Sequence, residues 1–183
     1  MKELRFHGRR LPRYDHTAPF VEAARLLAQA ALVEGKEVQF RPPWLFLRGY
    51  TPEAAYLRVD TEPIETYSQE YILDLVAVTD ASILDDVDVT LGLKNTGVLL
   101  VNSPGSIDLN VQARPAVANL TGIAEQFGVD LALPVAAATA ALSRVVDREA
   151  LRKVIEAETK GAERRRSMQA LEGTVQAITV SPR

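Results

Sequence analysis

Apolar and polar positions change period several times along the chain, and each change marks an element. Residues 4–7 predict a short strand and residues 19–34 a long helix, with a loop between them. In that helix Glu22, Arg25 and Gln29 form one narrow polar stripe, while Phe20, Val21, Ala23, Ala24, Leu26, Leu27, Ala30, Ala31, Leu32 and Val33 surround it. Most of its surface must therefore be buried, and the small alanines let it lie close to a sheet. Thr17 is the expected N-cap, Pro19 suits a first turn, and Gly35 stands where a left-handed residue ends a helix. A second strand is predicted at residues 37–40. Strand, loop and helix make the first half of a βαβ unit, whose loop meets ligands because helix amides point at it. Here, after Gly8, that loop reads RRLPRYDHTAP, rich in Arg and Pro where a phosphate cradle needs glycines.

Residues 41–55 cannot form a regular strand throughout, because Pro42, Pro43 and Pro52 remove ladder donors. This segment carries the only Trp, Trp44, beside Leu45, Phe46 and Leu47, and is either folded over the body or presented to a partner. Residues 55–59 alternate as a half-exposed strand, and Asp60, Thr61, Glu62 and Pro63 supply a turn into a short partner ending near Glu65, an antiparallel hairpin on one edge. The runs 73–78 and 98–101 are apolar on both faces, as strands in the middle of a covered parallel sheet are. Between them Asp80 caps a short helix through Asp86, and residues 92–97 read as a turn. A further strand is expected at 115–118, then helices at 121–127, closed by Gly128, at 134–145, and at 148–158. Asp147 is the cap of the last of these, with Val146 and Leu151 as a hydrophobic staple. Beyond Gly161, Met168, Leu171, Val175 and Ile178 share one stripe of a final helix interrupted by Gly173. The pattern is that of one α/β domain over residues 1–183, with a mostly parallel sheet, an antiparallel edge hairpin, and a helical C-terminal part whose last stretch, 162–183, is an amphipathic helix and tail.

With 183 residues, 47% of them apolar, the chain can bury one substantial core. A net charge of −3 gives no positive field for nucleic acid or anionic lipid. No apolar run is long enough to span a membrane, and the first ten residues lack the apolar core of a signal peptide, so the cytoplasm is the expected compartment. The absence of cysteine excludes a disulfide framework, a thiolate nucleophile, a Cys-ligated zinc site and any iron–sulfur cluster held by this chain. His7 and His16 are the only histidines and lack the spacing of a helical metal site. Asp85, Asp86 and Asp88 lack the pattern of a calcium loop and read as a solvated helix end; Arg164, Arg165 and Arg166 read as a solvated face. No catalytic constellation is visible, and no metal ligand set.

The order of segments says more than any one motif. The phrases LRFHGR (4–9), AARLLAQAALVEGKEVQ (23–39), RG (Arg48, Gly49), LRVDTEPI (57–64), DLVAVTD (74–80), LKNTGVLLVNS (93–103) and LSRVVDREALRKVIE (142–156) together resemble the gamma subunit, or gamma domain, of 2-oxoacid:ferredoxin oxidoreductases such as pyruvate:ferredoxin oxidoreductase. The small subunit of indolepyruvate oxidoreductase is similar. The resemblance implies a Rossmann-like three-layer sandwich and a non-catalytic subunit without a cofactor of its own. Its place would be in a complex whose other subunits carry thiamine diphosphate and iron–sulfur clusters and which converts a 2-oxoacid to an acyl-coenzyme A. The gamma part would be structural or would help close over the coenzyme A side. Partners implied are those subunits, or a second copy of the chain. Three stretches depart from the family. Its GRGGQG stretch is replaced by Gly8, Arg9, Arg10, Leu11, Pro12, Arg13 and Tyr14; its FG-x-E-x-RG segment survives as Arg48 and Gly49; and its Asn-Thr pair near Pro134 is absent. Gly8, Arg9, Arg10, Arg48 and Gly49 are the positions where the resemblance places ligand or partner contacts. The alternative is a stand-alone anion-binding or interaction module in which Arg9, Arg10 and Arg13 hold an anionic group by charge.

Overall fold

In a computed structural model, residues 1–9, 18–43, 52–68 and 71–180 are described, the last two by their main chain. The strands are β1 (Lys2–Arg9), β2 (Glu37–Arg41), β3 (Pro52–Asp60), β4 (Leu73–Val78), β5 (Leu93–Asn102) and β6 (Arg114–Ala118). They form one sheet in the order β2-β3-β1-β4-β5-β6. β1, β4, β5 and β6 are parallel neighbours, while β3 lies antiparallel to both β1 and β2. The helices are α1 (Pro19–Val33), α2 (Leu120–Phe127), α3 (Ala132–Ser143), α4 (Arg148–Glu158) and α5 (Gly161–Val180), and a 3-10 turn (Ala81–Asp85) follows β4. β1, α1 and β2 make a βαβ unit with β3 inserted between its two strands.

The strand alternation sends Leu4, Phe6, Ala55, Leu57, Leu75, Ala77 and Leu100 to one face, where α1 and α3 bury them and α4 and α5 pack outside those two helices. Leu32 and Val33, expected in the buried surround of α1, are exposed because the last turn of α1 runs past its neighbours. α1 and α3 lie against this face because both present alanines, Ala23, Ala24, Ala136 and Ala137 among them, and small side chains let backbones approach. Val76, Val78, Leu99 and Val101 point to the opposite face. The sheet is thus sandwiched as expected, but the second cover is not helical among the described residues: it is the 3-10 turn and the irregular stretch 103–113, with Ile83, Val89, Leu109 and Val111 packed inward.

Four local expectations need correcting. The partner of β3 is β2, the strand before it, and residues 61–68 form no strand; the Asp60–Pro63 turn signal leads the chain off the sheet edge instead of reversing it into a hairpin. Residues 92–97 are not one turn: Gly92, at φ +79°, turns, and β5 then starts at Leu93. Gly97 lies in β5 because a Cβ there would come 3.0 Å from the Asp74 carbonyl and 2.9 Å from that of Lys94, beside a register shift in the β4–β5 pairing. Gly173 does not interrupt α5; it gives room to the Phe127 ring, 3.0 Å from where a Cβ would stand. Finally, the Asp147 side chain makes no capping bond; its backbone N–H donates to Glu34 Oε1 at 2.6 Å, tying the start of α4 to the end of α1. Thr17 lies outside the described residues, and Ala18 is the N-cap of α1, without a side-chain bond.

On the second face the β3–β1 half of the sheet carries polar side chains, and it is buried all the same. Arg58, 1% exposed, donates from Nε to Glu3 Oε1 at 2.5 Å, and its Nη1 donates to Gln39 Oε1 and to the Thr66 carbonyl. Glu3 Oε2 accepts the Ile72 amide at 2.6 Å, and the Tyr71 ring lies 4.2 Å below the Arg58 guanidinium and stacks on Tyr56. The connection from β3 to β4 is thereby strapped across this half-face. Arg5 donates to the Val89 carbonyl at 2.6 Å. His7, 9% exposed, is bonded to the Glu53 backbone, and its Nε2 meets no partner among the described residues.

Two outcomes are expected. Glu3→Gln leaves the Arg58 charge buried without its counter-ion and should cost about 3–5 kcal/mol in urea denaturation, whereas Glu3→Leu with Arg58→Met should cost less than either single change. A loss of only about 1 kcal/mol or below, the worth of a surface pair, would show that the charges are not held as a dry pair. Burial, reinforced by the Arg5 guanidinium, pushes His7 from 6.5 down to about 4. The unfolded chain therefore takes up this proton first, and the stability present above pH 6.5 is lost as pH falls toward 4. Relative to a His7→Gln variant, the wild type should lose about 3 kcal/mol over that range in urea titrations. A pH-independent difference between the two proteins would refute the assignment.

Candidate functional site

Ligands of α/β sheets gather outside the carboxyl ends of the parallel strands. Here β1, β4 and β5 end at a cleft of about 360 Å³ lined by Arg9, Pro19, Thr79, Asp80, Asn102 and Thr121, among others. Its base is closed by Thr79, whose backbone N–H and Oγ1 both donate to the His7 carbonyl, at 2.9 and 3.0 Å. That seals the β1–β4 seam one residue past the last ladder pair.

Asn102 organises the opposite wall. It ends β5 and is 8% exposed; its Nδ2 donates to the Thr79 carbonyl (2.9 Å) and to Thr121 Oγ1 (2.8 Å). Its Oδ1 accepts the amides of Leu120 and Thr121 at 2.9 and 3.1 Å, and Asn119 Oδ1 accepts that of Gly122. The first amides of α2, which would otherwise suit an anion, are thus consumed by two asparagines. Nothing in the chain reading assigned Asn102 a role. The available signal was a polar residue closing the apolar run LLV at the carboxyl end of a central strand.

Gly8 is buried within β1, and a Cβ there would stand 2.3 Å from Phe20 Cδ1 and 2.8 Å from Thr79 Oγ1. Its lack of a side chain lets the first turn of α1 seat against the strand tip. Arg9 reaches across to the 3-10 turn. Its Nη2 bonds Asp86 and, at 3.2 Å, Ser82 Oγ, and its Nε lies 3.4 Å from Asp80 Oδ2. Two carboxylates already compensate this guanidinium, which fixes the turn after β4 to the tip of β1. Arg10, Arg48 and Gly49 lie outside the described residues, as do Arg13, His16 and Trp44. Arg9 and Pro52, the described residues that border the stretches 10–17 and 44–51, pair with each other at the carboxyl end of β1, while Arg41 stands opposite Tyr56, level with Arg5.

Among the described residues no histidine lines the cleft, and no group of three His, Asp or Glu is arranged to hold a metal. Asp85, Asp86 and Asp88 are exposed, as a solvated helix end requires. Arg164 is not simply solvated; it donates to the Glu156 and Thr159 carbonyls and so caps the end of α4. No helix is long and apolar enough to cross a membrane, among the described residues. What the cleft offers is a rigid, internally bonded edge.

Known proteins share this architecture and much of the sequence. The family described as pyruvate ferredoxin/flavodoxin oxidoreductase matches residues 20–178. The pyruvate/ketoisovalerate oxidoreductases common subunit gamma of Thermococcus kodakarensis is 40% identical over 141 residues, covering 74% of this chain and 71% of that one. The protein of the same name from Pyrococcus furiosus is 44% identical over 106 residues, 58% of this chain, and there the chain spans about half the relative's length, 54%. The crystal structure of pyruvate oxidoreductase subunit PORC from Thermotoga maritima superposes with a TM-score of 0.78 at 26% identity, over 96% of both chains. With the family match running from the start of α1 nearly to the end of α5, the chain belongs to the pyruvate ferredoxin/flavodoxin oxidoreductase family.

Proposed function

We propose that this chain is the gamma subunit of a 2-oxoacid:acceptor oxidoreductase complex and contributes binding surface and alignment, not reacting groups. The observation that carries the reading is the 40% identity to a common subunit gamma across about three quarters of both chains. Having no cysteine, these 183 residues leave the iron–sulfur clusters to other subunits, and thiamine diphosphate belongs with them. The complex oxidatively decarboxylates a 2-oxoacid to its acyl-coenzyme A in the cytoplasm.

Within that assembly the work of this chain is positional. Arg9, held by Asp80 and Asp86, and Asn102, held by Thr79 and Thr121, fix the strand tips, and the stretches containing Arg10, Arg48 and Gly49 start from those tips to reach a ligand or a neighbouring subunit. Pro42 and Pro43 open the second of these stretches beside a cleft of about 640 Å³ walled by Phe40, Tyr56 and Tyr71, a second partner contact.

Co-expression with the thiamine-binding and iron–sulfur subunits of the same host tests this. The chain should co-purify with them, and its omission should lower 2-oxoacid- and coenzyme A-dependent viologen reduction about a hundredfold, the scale of losing positioning. Full-rate turnover by the other subunits alone would overturn the assignment.

A further inference from the structure

We infer that the groove between the 3-10 turn and the irregular stretch 103–113, on the sheet face that no helix covers, is the seat of a neighbouring subunit. Its occupant is an extended segment with an apolar side chain flanked by Lys or Arg. The inference rests on the subunit reading above.

Three independent features fit this occupant. The groove, about 560 Å³, opens between the two covering segments down to the buried side chains of Val89 and Leu99, so an apolar group entering it meets a dry floor. Its rim carries Asp85, Asp88 and Asp108, all exposed, and among the described residues no basic one lines it. Among the described residues Asp85 and Asp108 make no salt bridge, Arg9 being bonded to Asp86 and Lys94 to Asp74, whereas Asp88 accepts the Thr90 amide and hydroxyl and feels the Arg5 guanidinium. The carboxylates of Asp85 and Asp108 beside an apolar floor repel phosphate-bearing partners and attract a basic segment. The third feature is main-chain chemistry. In residues 106–110 the only backbone–backbone bond among the described residues is Leu109 accepting from Val111, so this stretch of the groove's lining belongs to no ladder, as a chain able to take an added strand requires. Next to the groove Val87 and Leu91 are 38% and 71% exposed, which widens the apolar contact beyond the floor.

The test uses the full chain and the co-expressed subunits. Asp85→Lys with Asp108→Lys should weaken capture by the other subunits about tenfold, more at low than at high salt, with thermal unfolding of the isolated chain unchanged. Glu125→Lys, an exposed charge reversal on α2, should leave capture intact. Carbodiimide cross-linking of the wild-type complex should join Asp85 or Asp108 to a lysine of another subunit. If the wild type is captured and the double variant is captured equally well, the groove is not the seat while the subunit reading stands. Cross-links only to a second copy of this chain would also overturn it. If the wild type is not captured at all, both readings fall together.

Discussion

The buried pair of Glu3 and Arg58 is the constraint on which the sheet depends. Two charges leave water at the centre of a mixed sheet, which is tolerable only when every remaining donor and acceptor is met. They are met by the segment that joins β3 to β4: Thr66 offers its carbonyl to Arg58, Ile72 offers its amide to Glu3, and Tyr71 lies flat under the guanidinium. One pair of side chains therefore sets the β1–β3 register, in which Glu3 stands opposite Arg58, and also fixes the path of the chain across the second face. A slip of one residue would place Arg58 among leucines and leave Glu3 uncompensated, so register is specified energetically as well as by the apolar alternation.

That registry reaches the strand tips. With β1 and β3 fixed, Arg9 is opposite Pro52 and Gly8 lies under Phe20, which sets where α1 begins. Thr79 and Asn102 then continue the same chain of bonds from β1 through β4 to β5 and into α2. Each polar group at the carboxyl edge is used to hold a neighbour. A reactive site needs groups poised with unspent hydrogen-bonding capacity or shifted proton affinity; among the described residues the shifted groups, such as His7 inside the sheet, Tyr71 and Asp88, lie outside the cleft lining. The chemistry of the edge is that of a scaffold.

Much of this was legible from residue order. The helix 19–33 declared itself by one polar stripe in an alanine-rich surround, and β4 and the second half of β5 by apolar runs broken only at Asp74, because burial on both faces leaves little alternation; the first half of β5, LKNTG, carries no such signal and read as a turn. The hairpin misled for a physical reason: DTEP is a turn signal, but a turn says only that the chain changes direction, and the edge position was already taken by β2, delivered by α1. Glu3, Arg5 and His7 alternate with Leu4 and Phe6 as an exposed face would, and they are buried because a segment distant in sequence lies over them. Asn102 was visible as a polar stop after LLV, yet its role requires Thr79 and Thr121 at its side, 23 and 19 residues away. Long-range partners of this kind leave no local pattern.

The two faces of the sheet divide the labour of an accessory subunit. The helical face holds most of the apolar core, and its outermost helix, α5, is fastened to the body by Leu171 and Ala170 and by Thr174, whose hydroxyl is satisfied within the helix. Stability is concentrated there. The opposite face is divided between a polar half, closed by its own strap, and an apolar half, closed only by a 3-10 turn and an irregular stretch. A monomer built for independence would cover Val76, Val78 and Leu99 with a helix, as α3 covers Leu75 and Leu100 on the other side. The thin cover still buries Val76, Val78 and Leu99 almost completely, so the apolar surface left open on this side is that of Val87 and Leu91 and not that of the strands.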